Sequence, residues 1–205
     1  MFIQKLKTDD AVTAFLAKEG CAVLLHHKKS VKASHQAKNF LVEFARDYPT
    51  FQVVVAKIEH APQAAERHNV VSVPTTIFFK DGHELARFEG YKPINIREKA
   101  IQTTRLVDLI KQSKLMLFMK GTPEEPKCGF SRRITAILDS INAEYRSFDI
   151  LEDLEVREEL KKFSNWPTYP QLYLDGQLIG GVDVLEDEVK DPAFLFTVPR
   201  RNLAV

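Results

Sequence analysis

Sulfur is scarce in these 205 residues: the two cysteines, Cys21 and Cys128, lie far apart and in unlike surroundings. That argues against a disulfide framework and for a reducing compartment. Charge of one sign is not in excess either. Twenty-nine Lys and Arg stand against 28 Asp and Glu, a net charge of +1, so nothing in the balance points to nucleic acid or a membrane surface. No apolar run approaches the roughly 18 residues that suggest a membrane span. The stretch Met1-Phe-Ile-Gln-Lys-Leu-Lys-Thr8 lacks the long apolar core of a signal peptide. A chain that is 44% hydrophobic and 28% charged suits one or two soluble globular domains.

One stretch organises what is present. Leu115-Met-Leu-Phe-Met119 is an apolar run of strand length, and Lys120-Gly-Thr-Pro-Glu-Glu-Pro-Lys127 is rich in Gly, Pro and charge, which reads as a loop. After Cys128-Gly-Phe-Ser131, the spacing of Ile134, Ile137, Leu138 and Ile141 predicts a helix from about Phe130 to Ile141. Cys128 is therefore expected where a loop enters a helix N-terminus, among unpaired N–H groups and the positive end of the helix dipole. A thiol there ionises more readily, and the thiolate is both nucleophile and metal ligand. Lys120 and Lys127 are expected to add positive charge if they fold back. Cys21, inside the apolar run Cys21-Ala-Val-Leu-Leu25, reads instead as a core thiol.

Taken in order, the chain states one pattern twice: helix, strand, helix, strand, helix, proline, strand, Asp-Gly hairpin, strand, glycine. In the first round Thr8 caps a helix through Phe15 and Leu16, and Ser34 is a candidate cap for the helix carrying Phe40, Leu41 and Phe44. Strands are expected at Phe51–Ala56 and Val73–Phe79, with a short helix from Pro62 to His68 between them. The Asp81-Gly82 turn leads into Leu85–Phe88, and a helix at Ile94–Ile101 closes the round. In the second, a helix at Leu106–Ile110 precedes Leu115–Met119. Tyr145–Asp149 is a strand, Asp153 caps a helix through Val156, Leu160 and Phe163, and Gln171–Leu174 reaches Leu178–Gly181 through Asp175-Gly176. The seam near Lys99–Thr104 has no Gly/Ser-rich linker, so the connection is expected to be short or helical. The boundaries expected are 1–102, 103–190 and a tail, 191–205. Each round gives a mixed α/β sheet of four to five strands covered by helices.

Cys128-Gly-Phe-Ser131 after Met119-Lys-Gly-Thr-Pro123, with Trp166-Pro-Thr-Tyr-Pro170 and Gly180-Gly-Val-Asp183 downstream, resembles a monothiol glutaredoxin domain. Four motifs match in order and spacing from about Leu106 to Asp183. The first half resembles a thioredoxin domain through Val73-Pro-Thr75, Phe78-Phe-Lys-Asp-Gly82 and Gly90. Their fusion is similar to the multidomain, PICOT-type monothiol glutaredoxins of the eukaryotic cytosol. The resemblance implies two thioredoxin folds in tandem, cis peptide bonds before Pro74 and Pro170, and residence in the cytoplasm and also the nucleus. The first half departs from thioredoxin where the redox Cys-x-x-Cys should begin the second helix: Val31-Lys-Ala-Ser34 stands there. A dithiol reaction needs two sulfurs at that place, so this half is not expected to reduce disulfides. His26, His27 and His35 are expected in a solvated loop rather than at a metal, since no zinc-type spacing accompanies them.

The resemblance also implies the chemistry of the second half. A [2Fe–2S] cluster takes about four ligands, usually thiolates, and one domain supplies only Cys128. The family completes the set with two protein cysteines and two glutathione thiols across a homodimer, or pairs with a BolA-like partner. Glutathione contacts fall on Lys120, Arg157, Tyr169, Val182 and Asp183. Lys120 and Arg157 can meet its carboxylates, with Lys161 as a weaker candidate, and Asp183 can accept from its amine. Thr168 and Tyr169 flank the backbone beside Pro170 that can pair with an extended peptide. Many members carry Cys where this chain has Val182, but the contact there is mainly backbone. The implied role is a glutathione-dependent carrier of [2Fe–2S] clusters in iron homeostasis rather than a turnover enzyme. The absence of a resolving cysteine and the Thr122-Pro-Glu-Glu-Pro126 insert favour it. Two alternatives stand beside it: a monothiol oxidoreductase that deglutathionylates proteins through Cys128, and a redox-inactive adaptor. The tail fits least. Asp191-Pro192 is expected to stop a helix begun at Val184, and the residues from Ala193 to Val205 resemble nothing in the family, which reads as an altered or truncated terminus and predicts that the isolated second domain melts lower than one given a full-length family terminus.

Overall fold

The computed structural model describes residues 3–201. The chain divides into two compact units between Thr104 and Arg105. The first contains β1 (Gln4–Leu6), α1 (Asp9–Leu16), β2 (Cys21–His27), α2 (Lys32–Asp47), β3 (Phe51–Lys57), α3 (Pro62–Arg67), β4 (Thr75–Lys80) and β5 (His83–Glu89). Its sheet has the order β1-β3-β2-β4-β5, with β1, β3 and β2 parallel and β4 and β5 antiparallel. That is the thioredoxin fold.

Alternation along β2 sends side chains to both faces of this sheet. Ala22 and Leu24 join Val12, Phe15, Val54, Ala56, Ile77 and Phe79 in one buried cluster. Beneath α2, Phe78 meets Phe44, Phe51 and Phe88 edge to face, with ring centroids 6.2, 5.4 and 5.9 Å apart, a geometry that aromatic quadrupoles favour. Cys21 is buried, as a core thiol should be.

Three expectations for this unit need correction. Ser34 does not cap α2. The helix starts two residues earlier behind Val31, which gives no side-chain cap, while Ser34 is buried and its Oγ accepts the Lys28 N–H at 3.3 Å. His26 and His27 do not lie in a solvated loop. Pairing with β3 and β4 carries β2 through to His27, and both rings are buried, His26 completely. Nor does a first helix end near Ile101 before a second begins: α4 runs unbroken from Pro93 to Ile110. Nothing in Gln102-Thr-Thr104 breaks a helix, since each residue costs only tenths of a kcal/mol relative to Ala.

The second unit contains β6 (Leu115–Met119), α5 (Gly129–Ser140), β7 (Arg146–Asp149), α6 (Leu154–Ser164), β8 (Gln171–Leu174), β9 (Gln177–Gly180), α7 (Val182–Glu188) and α8 (Pro192–Thr197). The sheet order is β7-β6-β8-β9, with only the β7–β6 pair parallel. All five residues of β6 are fully buried. They form the central strand, which is why the sequence there is uniformly apolar. The Val73–Pro74 and Tyr169–Pro170 bonds are cis.

As expected, the helix begun near Val184 stops before Pro192: α7 ends at Glu188. Pro192 then opens α8, where its missing N–H is harmless, and the Asp191 carboxylate caps that helix by accepting the Ala193 N–H at 2.8 Å. Phe194 and Val198 enter the second core. The chain is tied back by Glu144 N–H donating to the Pro199 carbonyl at 2.8 Å and Arg201 N–H to Asn142 at 3.0 Å. Residues 202–205 of the tail lie outside the described residues.

Candidate functional site

The loop between β6 and α5 is closed on itself. Lys127 N–H donates to the Lys120 carbonyl at 2.9 Å and Thr122 N–H to Glu125 at 3.3 Å, so the Pro-rich insert forms a tight excursion. Gly121 makes this possible. Its φ is +81°, and a β-carbon would lie 2.3 Å from the Glu125 carbonyl oxygen, which no other residue tolerates. Its N–H donates to Asp149 Oδ1 at 2.9 Å, anchoring the loop to β7.

The excursion delivers Cys128 to the N-cap of α5, in extended conformation with φ −150° and ψ 163°. Sγ accepts the backbone N–H of Ser131 at 3.4 Å and lies 3.3 Å from Ser131 Oγ. Ser131 is itself buried, and its Oγ accepts the Lys120 N–H at 3.1 Å. The oxygen can accept from both the Lys120 N–H and the neutral thiol, and the hydroxyl's one proton can turn to sulfur when the thiol ionises. Partial burial pulls the thiol's pKa up. The Ser131 hydroxyl, the backbone N–H groups of Ser131 and Phe130, and the Lys120 charge outweigh that pull and lower it below the ordinary thiol value. Lys127 does not join them, because its ammonium pairs with Glu125.

Beside these neighbours of the sulfur opens a cleft of about 540 Å³, within the size range of small-ligand sites. The structure brings all five candidate contact residues to it: Lys120, Arg157, Tyr169, Val182 and Asp183, with Lys161, Thr168 and Trp166 also in its walls. Arg157 Nε is buried without a hydrogen-bond partner, and Glu158 lies 3.7 Å away, beyond hydrogen-bond reach. The Tyr169 hydroxyl donates to the Arg157 carbonyl at 2.8 Å, and burial raises its pKa, so it stays protonated. Val182 is buried in the second core, which leaves its backbone as the part available to a ligand. Asp183 is almost fully exposed, 3.7 Å from Arg133.

Three residues matter here more than their sequence suggested. Ser131 is the hub of the thiol's hydrogen bonds. Gln171, buried at the start of β8, donates through Nε2 to the carbonyls of Trp166 at 3.0 Å and Thr168 at 3.1 Å, and so holds that wall of the cleft. A lone amide opening an apolar strand was the available signal. Phe130, 56% exposed beside the sulfur, is an apolar surface at the mouth of the site.

The first unit has no counterpart. Val31–Ser34 begins its second helix without sulfur, and no group of three or more His, Cys, Asp or Glu among the described residues is disposed to hold a metal ion. Fold and site together define a class: tandem thioredoxin folds with a single activated thiol in the second. Comparison with known proteins agrees. The Glutaredoxin family matches residues 115–179, and the family described as hydrogenase-1 expression protein HyaE matches 3–95. Glutaredoxin 3 of Danio rerio is 38% identical over 184 residues, covering 80% of this chain and 56% of that protein. Monothiol glutaredoxin-S17 of Arabidopsis thaliana is 35% identical over 219 residues, 82% and 45%. Probable monothiol glutaredoxin 2 of Rickettsia typhi is 51% identical over 78 residues, 38% and 70%. The chain belongs to the monothiol glutaredoxins, in the multidomain form that sets a thioredoxin-like domain before the glutaredoxin domain. It spans about half the length of the multidomain relatives it matches.

Proposed function

We propose that this chain carries [2Fe–2S] clusters in a glutathione-dependent manner, within iron–sulfur and iron homeostasis of the cytoplasm and nucleus. The observation that carries the reading is a thiol biased towards the anion beside a cleft walled by Lys120, Arg157 and Lys161, while no group of three or more His, Cys, Asp or Glu among the described residues is disposed to hold a metal ion. A [2Fe–2S] cargo takes about four ligands, usually thiolates. Cys21 is buried in the other unit, so one chain fits one corner of the cluster. Two copies and two glutathione thiols complete it, or one copy together with a BolA-like partner. Phe130 supplies apolar surface beside the sulfur for such a pairing.

Glutathione has two carboxylates and an ammonium. Lys120 meets one carboxylate beside the thiol. The unpartnered Arg157 Nε gains from an incoming acceptor, since a buried donor left unmade costs about 1–3 kcal/mol. The Val182 backbone and the exposed Asp183 carboxylate suit the other end of the tripeptide. Held there, its sulfur lies alongside Cys128, and release of glutathione frees the cluster.

The lack of a resolving cysteine also suits a second reaction. The Cys128 thiolate attacks the glutathionyl sulfur of a mixed disulfide, and the client thiolate leaves. A second glutathione thiolate then displaces Cys128, and oxidised glutathione departs. Anaerobic reconstitution with iron, sulfide and glutathione separates the two readings. A coloured dimer that bleaches on glutathione removal, and that is lost in Cys128→Ser but kept in Cys21→Ser, supports the carrier. A colourless monomer that cleaves a glutathione mixed disulfide refutes it in favour of the oxidoreductase.

A further inference from the structure

The first unit holds a cavity that the thiol chemistry leaves unused. It measures about 340 Å³ and opens where the C-terminal ends of β1, β2 and β3 meet the first turns of α2. Ligands of open α/β sheets gather at such strand ends. Its walls carry Lys5, Lys7, Lys29, Lys38 and Lys57 and no carboxylate. None of these five ammonium groups has an ion-pair partner among the described residues. Lys38 and Lys57 are half-buried, and a partly desolvated cation without a counter-charge is unfavourable unless something else supplies one.

A second observation points into the same space. His27 lines the cavity, is only 6% exposed, and makes no ring hydrogen bond among the described residues. Burial, then the charges of Lys38 and Lys57, and also His35, hold it neutral with a pKa of about 4, against the opposite pull of Glu59. Ser34, also buried, uses its Oγ to accept the Lys28 N–H, so its own proton remains to be given. His35 Nε2 meets the Lys29 carbonyl at 2.7 Å, which pins that stretch of the wall to α2. The helix has no side-chain cap at Val31, and its dipole adds to the positive field.

The chemistry of the walls selects the ligand. Ammonium groups act as point charges suited to phosphate, whereas planar carboxylates are met bidentately by arginine, and no arginine lines this cavity. No Phe, Tyr or Trp lines it either, and the rings in its walls are the imidazoles of His27, His35 and His60. We propose that the cavity binds a small polyvalent phosphate, a pyrophosphate group either free or at the end of a nucleotide.

The test is calorimetric titration of the full chain with inorganic pyrophosphate and, separately, with ADP at low salt. Saturable one-to-one binding is expected. It should weaken about tenfold or more in Lys38→Glu/Lys57→Glu, the scale of a lost charge-assisted contact, and fall with added salt. The exposed pair Lys5→Glu/Lys7→Glu should weaken it as well, and Lys120→Glu/Arg157→Glu in the glutaredoxin unit should leave it intact. Equal affinity for the two ligands assigns free pyrophosphate, and tighter ADP binding assigns the nucleotide. Pyrophosphate should also raise the pH midpoint of the His27 ring resonances. No saturation by either ligand at millimolar concentration overturns the proposal. So does an affinity that follows the Lys120 and Arg157 changes instead.

Discussion

Ser131→Ala removes one buried oxygen, and its consequences can be worked through in order. The hydroxyl lies 3.3 Å from the Cys128 sulfur and is the first of the contacts that stabilise the thiolate. A hydrogen bond to a charged group contributes about 1.5–3 kcal/mol. The sulfur is partly open to solvent and keeps its backbone N–H donors, so the lower end applies. At about 1.4 kcal/mol per tenfold, the thiolate fraction below the titration midpoint falls roughly tenfold. The more basic sulfur is also the better nucleophile, with a Brønsted slope of about 0.4–0.5, which restores roughly threefold. Alkylation of the variant should therefore be about threefold slower at pH below both midpoints and about threefold faster above both. The two pH–rate profiles must cross. Profiles that superimpose, or a variant slower by one constant factor at every pH, refute the account, because the hydroxyl would then govern access rather than charge. The fold is affected too. The Lys120 N–H loses its acceptor, at about 1–3 kcal/mol. Since folding lowers the thiol's pKa, its contribution to stability is present above the unfolded pKa and is lost as pH falls through the folded one. The variant should show less of that pH dependence.

Three further outcomes are expected. Gly121→Ala places a β-carbon 2.3 Å from the Glu125 carbonyl at φ +81°. It should destabilise the second unit by more than the roughly 1–2 kcal/mol of left-handed strain alone and change Cys128 alkylation, both checked by denaturant unfolding and thiol kinetics. Phe194→Ala empties a side chain that is 9% exposed in the second core and should cost about 3 kcal/mol; an unchanged unfolding midpoint would mean that the terminus does not pack there. His26 is fully buried with Nε2 2.9 Å from His68 Nδ1, and burial first, then the charges of His68, Arg87 and His27, hold its pKa at about 4 rather than 6.5. The unfolded chain takes up that proton first, so His26 alone should remove on the order of 3 kcal/mol from the first unit as pH falls from about 6.5 to 4, and His27, also held at about 4, adds to that loss. Amide exchange across residues 3–104 checks this, with His26→Gln expected to flatten the response.

What the sequence disclosed and what it withheld divide by range of interaction. Asp81-Gly82 and Asp175-Gly176 announced their hairpins because left-handed φ is a local demand: the four residues have φ of 49°, 80°, 50° and 84°. The apolar run of β6 announced a central strand for the same reason. β1 was not legible, since three residues with one buried side chain carry no period and are strand only through pairing with β3. The burial of His26 and His27 comes from strands more than twenty residues away. That α7 stops before Pro192 was legible, whereas the helix that Pro192 opens was not, since it depends on Asp191 as cap and on a core ready for Phe194. At the site, the five cleft residues were legible only as a family pattern. The roles of Ser131 and Gln171 depend on contacts 11 residues back, at Lys120, and on carbonyls in a turn.

Each unit places a helix directly after a central buried strand, and the two helix starts show what one position in a fold can be used for. At α5 the cap residue is Cys128, whose sulfur accepts the first-turn N–H of Ser131. The group that satisfies the helix is the same group that the helix dipole pushes towards the anion. At α2 the cap position holds Val31, which has no acceptor to offer, and the positive field of that helix end is reinforced by Lys29 and Lys38 rather than answered. In the second unit a negative charge is built into the chain. In the first it must come from outside. Supplying a cap at Val31→Asp should therefore do two things together: stabilise the first unit by about 1 kcal/mol, the usual worth of a cap, and weaken pyrophosphate binding by placing a fixed carboxylate at the same helix end. Stabilisation with unchanged affinity would show that the end of α2 takes no part in the cavity's field. Weaker binding without stabilisation would show that the new carboxylate acts through charge alone and leaves the helix uncapped.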